Sequence, residues 1–213
     1  MTDRRTREAI RYLGYGRNAV DERTRNLIAD IFAELEVCAQ VKWVYRIFEY
    51  KEETDGTIFI GPMKVSSKNL NKNLKSCNQV AMLAVTLGME VDRRLKRYSV
   101  TDMPRAVVLQ ACAAAYLEEY CEQIQEEIRL EMKDKYLRPR FSPGYGDFDI
   151  KHQEDILRIL ETSKKIGLGR TESYMLIPTK SVTAIIGISN TDENCHKEGC
   201  EACEKTDCAY RRN

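Results

Sequence analysis

The sequence predicts an α+β fold with long helices around a group of strands, followed by a short cysteine-rich tail. One helical pattern runs without a break from Asp102 to about Lys135. The strand-forming segments do not alternate regularly with helices, which argues against a sheet built of parallel βαβ units. Four cysteines crowd into the polar C-terminal segment. We therefore divide the chain into a folded domain, residues 1–190, and a tail, residues 191–213.

Composition indicates a soluble globular protein that can bury a sizeable core. The chain has 213 residues, of which 43% are hydrophobic and 31% charged, and its formal net charge is +1. Without a basic excess to release counterions, nucleic acid is not expected as a partner. No apolar run approaches the roughly 20 residues of a membrane span. The polar N-terminus lacks the apolar stretch of a signal peptide, so a cytoplasmic location is expected.

The N-terminal third predicts helix, strand, strand and helix in that order. Asp21 or Asn18 can cap a first helix with an apolar face, since Leu27, Ile28, Ile31 and Leu35 recur at helical spacing. Strands are predicted at 41–50 and 57–60, joined through a turn at 54–56. Ser66 or Ser67 then begins a polar helix.

The centre of the chain predicts a buried strand and the long helix. Residues 80–87 are almost all apolar, which is typical of a strand buried on both faces. A short amphipathic helix follows at 92–98. Asp102 can cap the long helix, which at 1.5 Å per residue would extend for roughly 50 Å. Its first half is small and apolar and should lie in the core, whereas its charged second half should emerge.

The C-terminal part of the domain predicts one more helix and two strands. Residues 151–165 carry apolar side chains at helical spacing and end near Gly167. Residues 171–177 and 181–189 are predicted strands.

Residues 138–146 read Arg-Pro-Arg-Phe-Ser-Pro-Gly-Tyr-Gly and predict a shaped loop. Two prolines and two glycines can neither continue a helix nor lie in a central strand. Glycine lets backbone N–H groups approach a ligand, arginine forks onto a carboxylate or phosphate, and tyrosine offers a ring and a hydroxyl. Such a loop suits a small anionic ligand, and the alternative is an ordinary turn with a solvated arginine.

The segment Arg140-Phe141-Ser142-Pro143-Gly144-Tyr145 resembles the Arg-x-x-Pro-Gly-Tyr loop of the activation domain of cobalamin-dependent methionine synthase. Other segments occur in the order expected of that family. These are residues 85–88 followed by 90–92, and residues 171–173 followed by 181–183. The opening at 11–15 is similar to the start of free-standing members. The resemblance covers most of the chain to about Asn190, and the tail departs from it.

The resemblance implies a curved, mainly antiparallel sheet and a site for S-adenosylmethionine. Arg140 would fork onto the ligand's carboxylate, while Ser142, Gly144 and Tyr145 would contact it mostly through backbone atoms. The family often has alanine where this chain has Ser142. An acidic residue of the long helix would receive the ammonium group. Glu118 and Glu119 are the candidates, and we prefer Glu118 because it follows the small-residue face of Ala111, Ala114 and Ala115.

The function implied is assistance in the reductive methylation of cobalamin. The cobalamin would be carried by a partner corrinoid methyltransferase such as methionine synthase. A low-potential donor, flavodoxin or ferredoxin, would supply the electron, and the protein would be an accessory acting in trans. The alternative is a cysteine-ligated metal or redox-sensing adaptor on the same scaffold, without methyl-donor activity.

The tail predicts a metal centre at Cys195, Cys200, Cys203 and Cys208. Four thiols in so polar a segment cannot be core residues, and a cytosolic environment disfavours disulfides. Four thiolates suit tetrahedral zinc or an iron–sulfur cluster, and the redox setting favours iron–sulfur. The other four cysteines are scattered singly in apolar surroundings and are predicted to be core residues.

Overall fold

The computed structural model describes residues 4–15 and 19–192, and this part of the chain has the predicted α+β fold. Its helices are α1 (Arg4–Tyr12), α2 (Glu22–Cys38), α3 (Lys68–Asn73), α4 (Met89–Thr101), α5 (Met103–Glu131), α6 (His152–Leu160) and α7 (Thr162–Ile166). Its strands are β1 (Lys42–Glu52), β2 (Thr57–Ile60), β3 (Met63–Ser66), β4 (Cys77–Thr86), β5 (Tyr136–Leu137), β6 (Gly169–Arg170), β7 (Leu176–Ile177) and β8 (Ser181–Ser189).

The main sheet has six antiparallel strands in the order β3-β2-β1-β4-β8-β5, and β6 and β7 form a separate pair. Strand β4 lies between β1 and β8, and its successive side chains point to opposite faces. One set, Ala81, Leu83 and Val85, packs with α2 and α5. The other set, Val80, Met82 and Ala84, packs with α3, α6 and α7. The prediction of a central strand buried on both faces is confirmed.

Side-chain caps begin three helices where the sequence predicts them. Asp21 accepts a hydrogen bond from Thr24 N at 2.8 Å and caps α2. Ser67, not Ser66, accepts from Leu70 N at 3.0 Å and caps α3. Asp102 accepts from Arg105 N at 3.1 Å at the start of α5. These bonds satisfy amide groups that lack partners within the first helical turn.

The long helix α5 has 29 residues and extends for about 44 Å. It ends at Glu131, earlier than predicted, and Asp134 in the turn that follows has a φ of 61°. Most of its first half is buried as expected, although Val107 is 52% exposed. One face stays buried to Ile128, because α1 and α2 pack along it. The charged second half therefore emerges from the core on one side only.

Other predictions were wrong in detail. The sequence did not reveal α1, β3 or β5, which are short or carry few apolar residues. The helix predicted at 151–165 divides into α6 and α7 at Glu161, whose φ is 55°. The strand predicted at 171–177 is limited to β7, because the chain turns first and Thr171 N donates to Met175 O at 2.8 Å.

The four scattered cysteines, Cys38, Cys77, Cys112 and Cys121, are buried core residues as predicted. Burial raises the pKa of Cys112 and of Cys121 to about 12, so both thiols stay protonated. The tail cysteines at 195, 200, 203 and 208 lie outside the described residues. Within residues 4–15 and 19–192, no cluster of His, Cys, Asp or Glu side chains is arranged to hold a metal ion. No helix in those ranges has the length and apolar character that crossing a membrane requires.

Candidate ligand-binding site

The segment after β5 stays beside β8 and so sets the direction of Arg140. Arg138 N donates to Gly187 O at 2.8 Å, and Phe141 exchanges two backbone hydrogen bonds with Ile185 at 2.9 and 2.8 Å. Because side chains alternate along an extended segment, neighbouring residues face opposite sides of the sheet. Phe141 packs among the residues of the α6 side, and Arg140 reaches α5.

The Pro-Gly-Tyr turn is closed by its own backbone. Gly144 N donates to Phe148 O at 2.7 Å, and Tyr145 N donates to Ser142 O at 3.2 Å. Gly144 has a φ of 92°, a conformation that side chains other than glycine's disfavour. The loop shape predicted from the prolines and glycines is therefore confirmed.

Asp147 joins this turn to the start of α3. Its carboxylate accepts hydrogen bonds from Ser67 Oγ at 2.5 Å, from Lys68 N at 2.8 Å and from Asn69 N at 3.0 Å. The hydrogen bond from Ser67, followed by that from Asn69, lowers the pKa of Asp147 below its usual range. Sequence reasoning missed Asp147, although an acid beside a glycine-rich turn and a capping serine elsewhere were both visible.

The guanidinium of Arg140 lies between two side chains of α5. Arg140 Nη2 pairs with Glu118 Oε1, and Nη1 donates to Gln125 Oε1 at 2.8 Å. Glu118 and Gln125 are two helical turns apart and therefore share one face of α5. The side chains of Arg140 and Glu118 are 17% and 25% exposed, so a solute can still reach them. Gln125 was not predicted, and its spacing from Glu118 was the available signal.

Two clefts meet at this pair. The larger has a volume of about 430 Å³, and the smaller of about 230 Å³. The larger is lined by Arg4, Glu122, Gln125, Glu126, Arg129, Lys135, Tyr136, Leu137, Arg140 and Asp192. The smaller is lined by Arg4, Arg5, Glu8, Ala115, Glu118, Glu119, Glu122 and Gln123. Both share Arg4 and Glu122, which form an ion pair at 2.6 Å, so α1 borders the site.

The structure brings Arg140 and Glu118 together but leaves the other loop residues outside the clefts. Ser142 is half-buried, whereas Gly144 and Tyr145 are exposed, and none of the three lines either cleft. The ring of Tyr145 is tilted by 56° to that of Phe141, at 6.4 Å between ring centroids. Of the two acids considered, Glu118 meets Arg140, and Glu119 instead pairs with Arg5 at 2.7 Å.

Other charged side chains of α1 and α5 also line the clefts, whereas two groups close to the Arg140–Glu118 pair are neutral. Burial raises the pKa of the Tyr12 hydroxyl, and the negative charge of Glu118 raises it further, which places Tyr12 near Glu118 as a neutral group. Cys121 lies beneath the pair with its thiol protonated. The arrangement offers one cation and one anion side by side, which is the complement of a zwitterion.

The architecture belongs to a class of α+β domain that is represented among solved structures. The chain is similar to the MetH reactivation domain, whose crystal structure was determined bound to AdoHcy, with a TM-score of 0.59 and 17% sequence identity. The match covers 88% of this chain and 77% of that chain, and it establishes the fold.

Residues 68–209 match the activation domain of vitamin B12 dependent methionine synthase. These residues are well over half of the chain, and the protein belongs to this family. The match includes the loop of Arg140, the α5 segment of Glu118 and the cysteines of the tail. A comparison with curated proteins finds no match.

Proposed function

We propose that this protein binds S-adenosylmethionine at Arg140 and Glu118 and assists the reductive methylation of cobalamin held by a partner corrinoid methyltransferase. The observation that carries the proposal is the adjacent guanidinium and carboxylate, opening onto a cleft. Membership of the activation domain family supports the ligand class and implies a corrinoid partner.

The free site fits the amino-acid end of such a ligand without a change in net charge. Arg140 and Glu118 neutralise each other in the free protein. A bound α-amino acid would offer its carboxylate to Arg140 and its ammonium to Glu118, so one internal pair would be replaced by two. A planar guanidinium can hold a carboxylate through two parallel hydrogen bonds. Gln125 keeps one edge of the guanidinium in place.

The protein's contribution to the reaction would be positioning. S-adenosylmethionine would supply a methyl group to the cobalt of the partner's cobalamin once a low-potential donor, such as flavodoxin or ferredoxin, had supplied an electron. Arg140 and Glu118 would hold the amino-acid end so that the sulfonium methyl faces the partner. Fixing the geometry of two reactants can remove several kcal/mol from a barrier.

Calorimetric titration with three ligands tests the ligand class. S-adenosylmethionine and S-adenosylhomocysteine should bind with comparable affinity, because both present the amino-acid end. 5′-Methylthioadenosine lacks that end and should bind at least about tenfold more weakly. No heat of binding with the first two, or equal affinity for the third, would contradict the proposed role of the pair.

A second candidate function rests on the tail. Cys195, Cys200, Cys203 and Cys208 are proposed to bind one metal centre, with iron–sulfur favoured over zinc. A redox centre there could deliver the electron and so extend the first function. Alternatively, the protein would be a metal-binding or redox-sensing adaptor without methyl-donor activity, and this role would take the place of the first function. S-adenosylmethionine binding discriminates between the two, because only the first function requires it.

A further inference from the structure

A separate cavity lies between α4, α5, the end of α1 and the turn that precedes β8. Its volume is about 690 Å³, and it shares no lining residue with the two clefts at Arg140. Small-molecule sites in proteins typically occupy about 300–1,000 Å³. Six of its 13 lining residues are aliphatic: Leu13 in the turn after α1, Leu95 in α4, and Ala106, Val107, Ala111 and Ala114 in α5.

Lys180 is the buried polar group of this cavity. The residue is 8% exposed, and its Nζ donates one hydrogen bond, to Gln110 O at 3.0 Å. An ammonium group has three N–H donors. In the described part of the chain no carboxylate lies within ion-pair distance of Lys180. The buried ammonium group of Lys180 therefore has one neutral carbonyl as its hydrogen-bond acceptor.

The nearest acid does not provide the missing counter-charge directly. Asp92 accepts hydrogen bonds from Thr179 N at 2.7 Å and from Thr179 Oγ1 at 2.6 Å, so both of its oxygens are engaged by Thr179. Burial lowers the pKa of Lys180 to about 8, and the charge of Asp92 opposes this only in part. Burying a charge without a matched partner is costly, and a bound anion would offset that cost.

We propose that this cavity binds a small monocarboxylate with an apolar body. Its carboxylate accepts hydrogen bonds from Lys180 Nζ, and its body packs against Leu95, Val107 and Ala111. A single negative charge matches the single buried cation, whereas a doubly charged anion is disfavoured by Asp92 on the same wall. The apolar lining contributes in proportion to the apolar area that the ligand removes from water.

Hexanoate, hexanol and inorganic phosphate probe the two parts of this proposal on the full-length protein. Calorimetry or ligand-observed NMR should show saturable hexanoate binding. Hexanol, which keeps the apolar body, and phosphate, which keeps only the charge, should each bind at least about tenfold more weakly.

Three variants assign the binding to this cavity. Lys180→Met should weaken hexanoate at least about tenfold and leave hexanol unchanged. Lys96→Met removes an exposed lysine from the rim and should change hexanoate affinity less than about threefold. Ala114→Leu fills the cavity and should abolish binding of both ligands.

The proposal is overturned if hexanoate does not bind the unmodified protein, if Lys180→Met binds it as well as the unmodified protein does, or if Ala114→Leu leaves it unaffected. None of these outcomes bears on S-adenosylmethionine, because the cavity and the Arg140 clefts have no lining residue in common. A failure here is thus distinguishable from a failure of the proposed function.

Discussion

Arg140 and Glu118 are paired with each other, although each is predicted to bind a different end of one ligand. Their pairing satisfies both charges while the site is partly shielded from water. It also holds the guanidinium and the carboxylate next to each other before a ligand arrives. A zwitterionic ligand must compete with this internal pair, and a ligand with one charged group alone leaves one partner unpaired.

Arg140→Ala should abolish or greatly weaken S-adenosylmethionine binding while the fold stays intact. Leaving a charged, two-pronged contact unmade costs about 2–5 kcal/mol, or roughly 30-fold or more in affinity. Calorimetry on both proteins measures the change. Arg129→Ala is the matched control, because Arg129 lines the same cleft but pairs with Glu126 at the surface. If Arg140→Ala bound S-adenosylmethionine within about threefold of the unmodified protein, Arg140 would not be the residue that binds the carboxylate.

Glu118→Gln should weaken the same ligand less than Arg140→Ala does. A neutral amide can still accept one hydrogen bond from the ammonium group, and it leaves Arg140 free for the carboxylate. Glu119→Gln is the control one position along α5, where the lost partner is Arg5. If Glu119→Gln weakened ligand binding and Glu118→Gln did not, the ammonium contact would be at Glu119 instead of Glu118.

Gly187→Ala should destabilise the domain by about 1–3 kcal/mol, because the space around Gly187 is filled by neighbouring side chains. A Cβ at Gly187 would lie 2.7 Å from Cys77 Sγ and 2.8 Å from both Arg138 Cγ and Leu74 Cδ2. Gly169→Ala is the control, since no atom lies within 4 Å of its Cβ position. Urea unfolding should separate the two variants, and equal midpoints would contradict the close packing around Gly187.

Lys180 should make stability rise with pH in the alkaline range. The folded pKa is about 8, against an ordinary value of 10.5, so between these pH values the unfolded chain binds more protons than the folded one. Stability then increases as pH rises, by a total on the order of 3 kcal/mol. Lys180→Met should therefore exceed the unmodified protein in stability at pH 7 and lose most of that excess by pH 10.

Unfolding of both proteins at several pH values measures the difference. Other groups that titrate in this range are common to both proteins and cancel in the comparison. An excess stability that does not depend on pH would show that Lys180 titrates normally.

Protein purified without oxygen should be brown, with a broad absorbance that dithionite bleaches, if the tail holds an iron–sulfur cluster. Replacing Cys195, Cys200, Cys203 and Cys208 by serine should remove the colour and leave S-adenosylmethionine binding unchanged. One zinc per chain and no iron would contradict the redox role and leave a structural site. Four free thiols titrated on folded protein would contradict any metal site.

Much of the fold could be predicted because its signals are local. The apolar spacing of α2, the continuous apolar run of β4 and the caps Asp21 and Asp102 depend only on neighbours along the chain. Helix α1 escaped prediction because only one of its residues, Ala9, is buried, and charged contacts to α5 and α2 hold much of the remainder. Its apolar side chains, Ala9, Ile10 and Tyr12, lie within a single turn at its end, which is too short a pattern to predict a helix.

The sequence by itself determined the class of fold, the shape of the Arg140 loop and, through a resemblance, the family. The same resemblance offered Arg140, Ser142, Gly144, Tyr145 and Glu118 as candidate ligand residues. Proline and glycine restrict backbone angles wherever they occur, so the loop could be predicted without its surroundings. Only the tertiary structure decided that Arg140 meets Glu118 and Gln125, because the pairing of Phe141 with Ile185 turns Arg140 toward α5. It also decided that Lys180 lies in a cavity. Both results depend on packing between segments far apart in the chain, which local patterns do not specify.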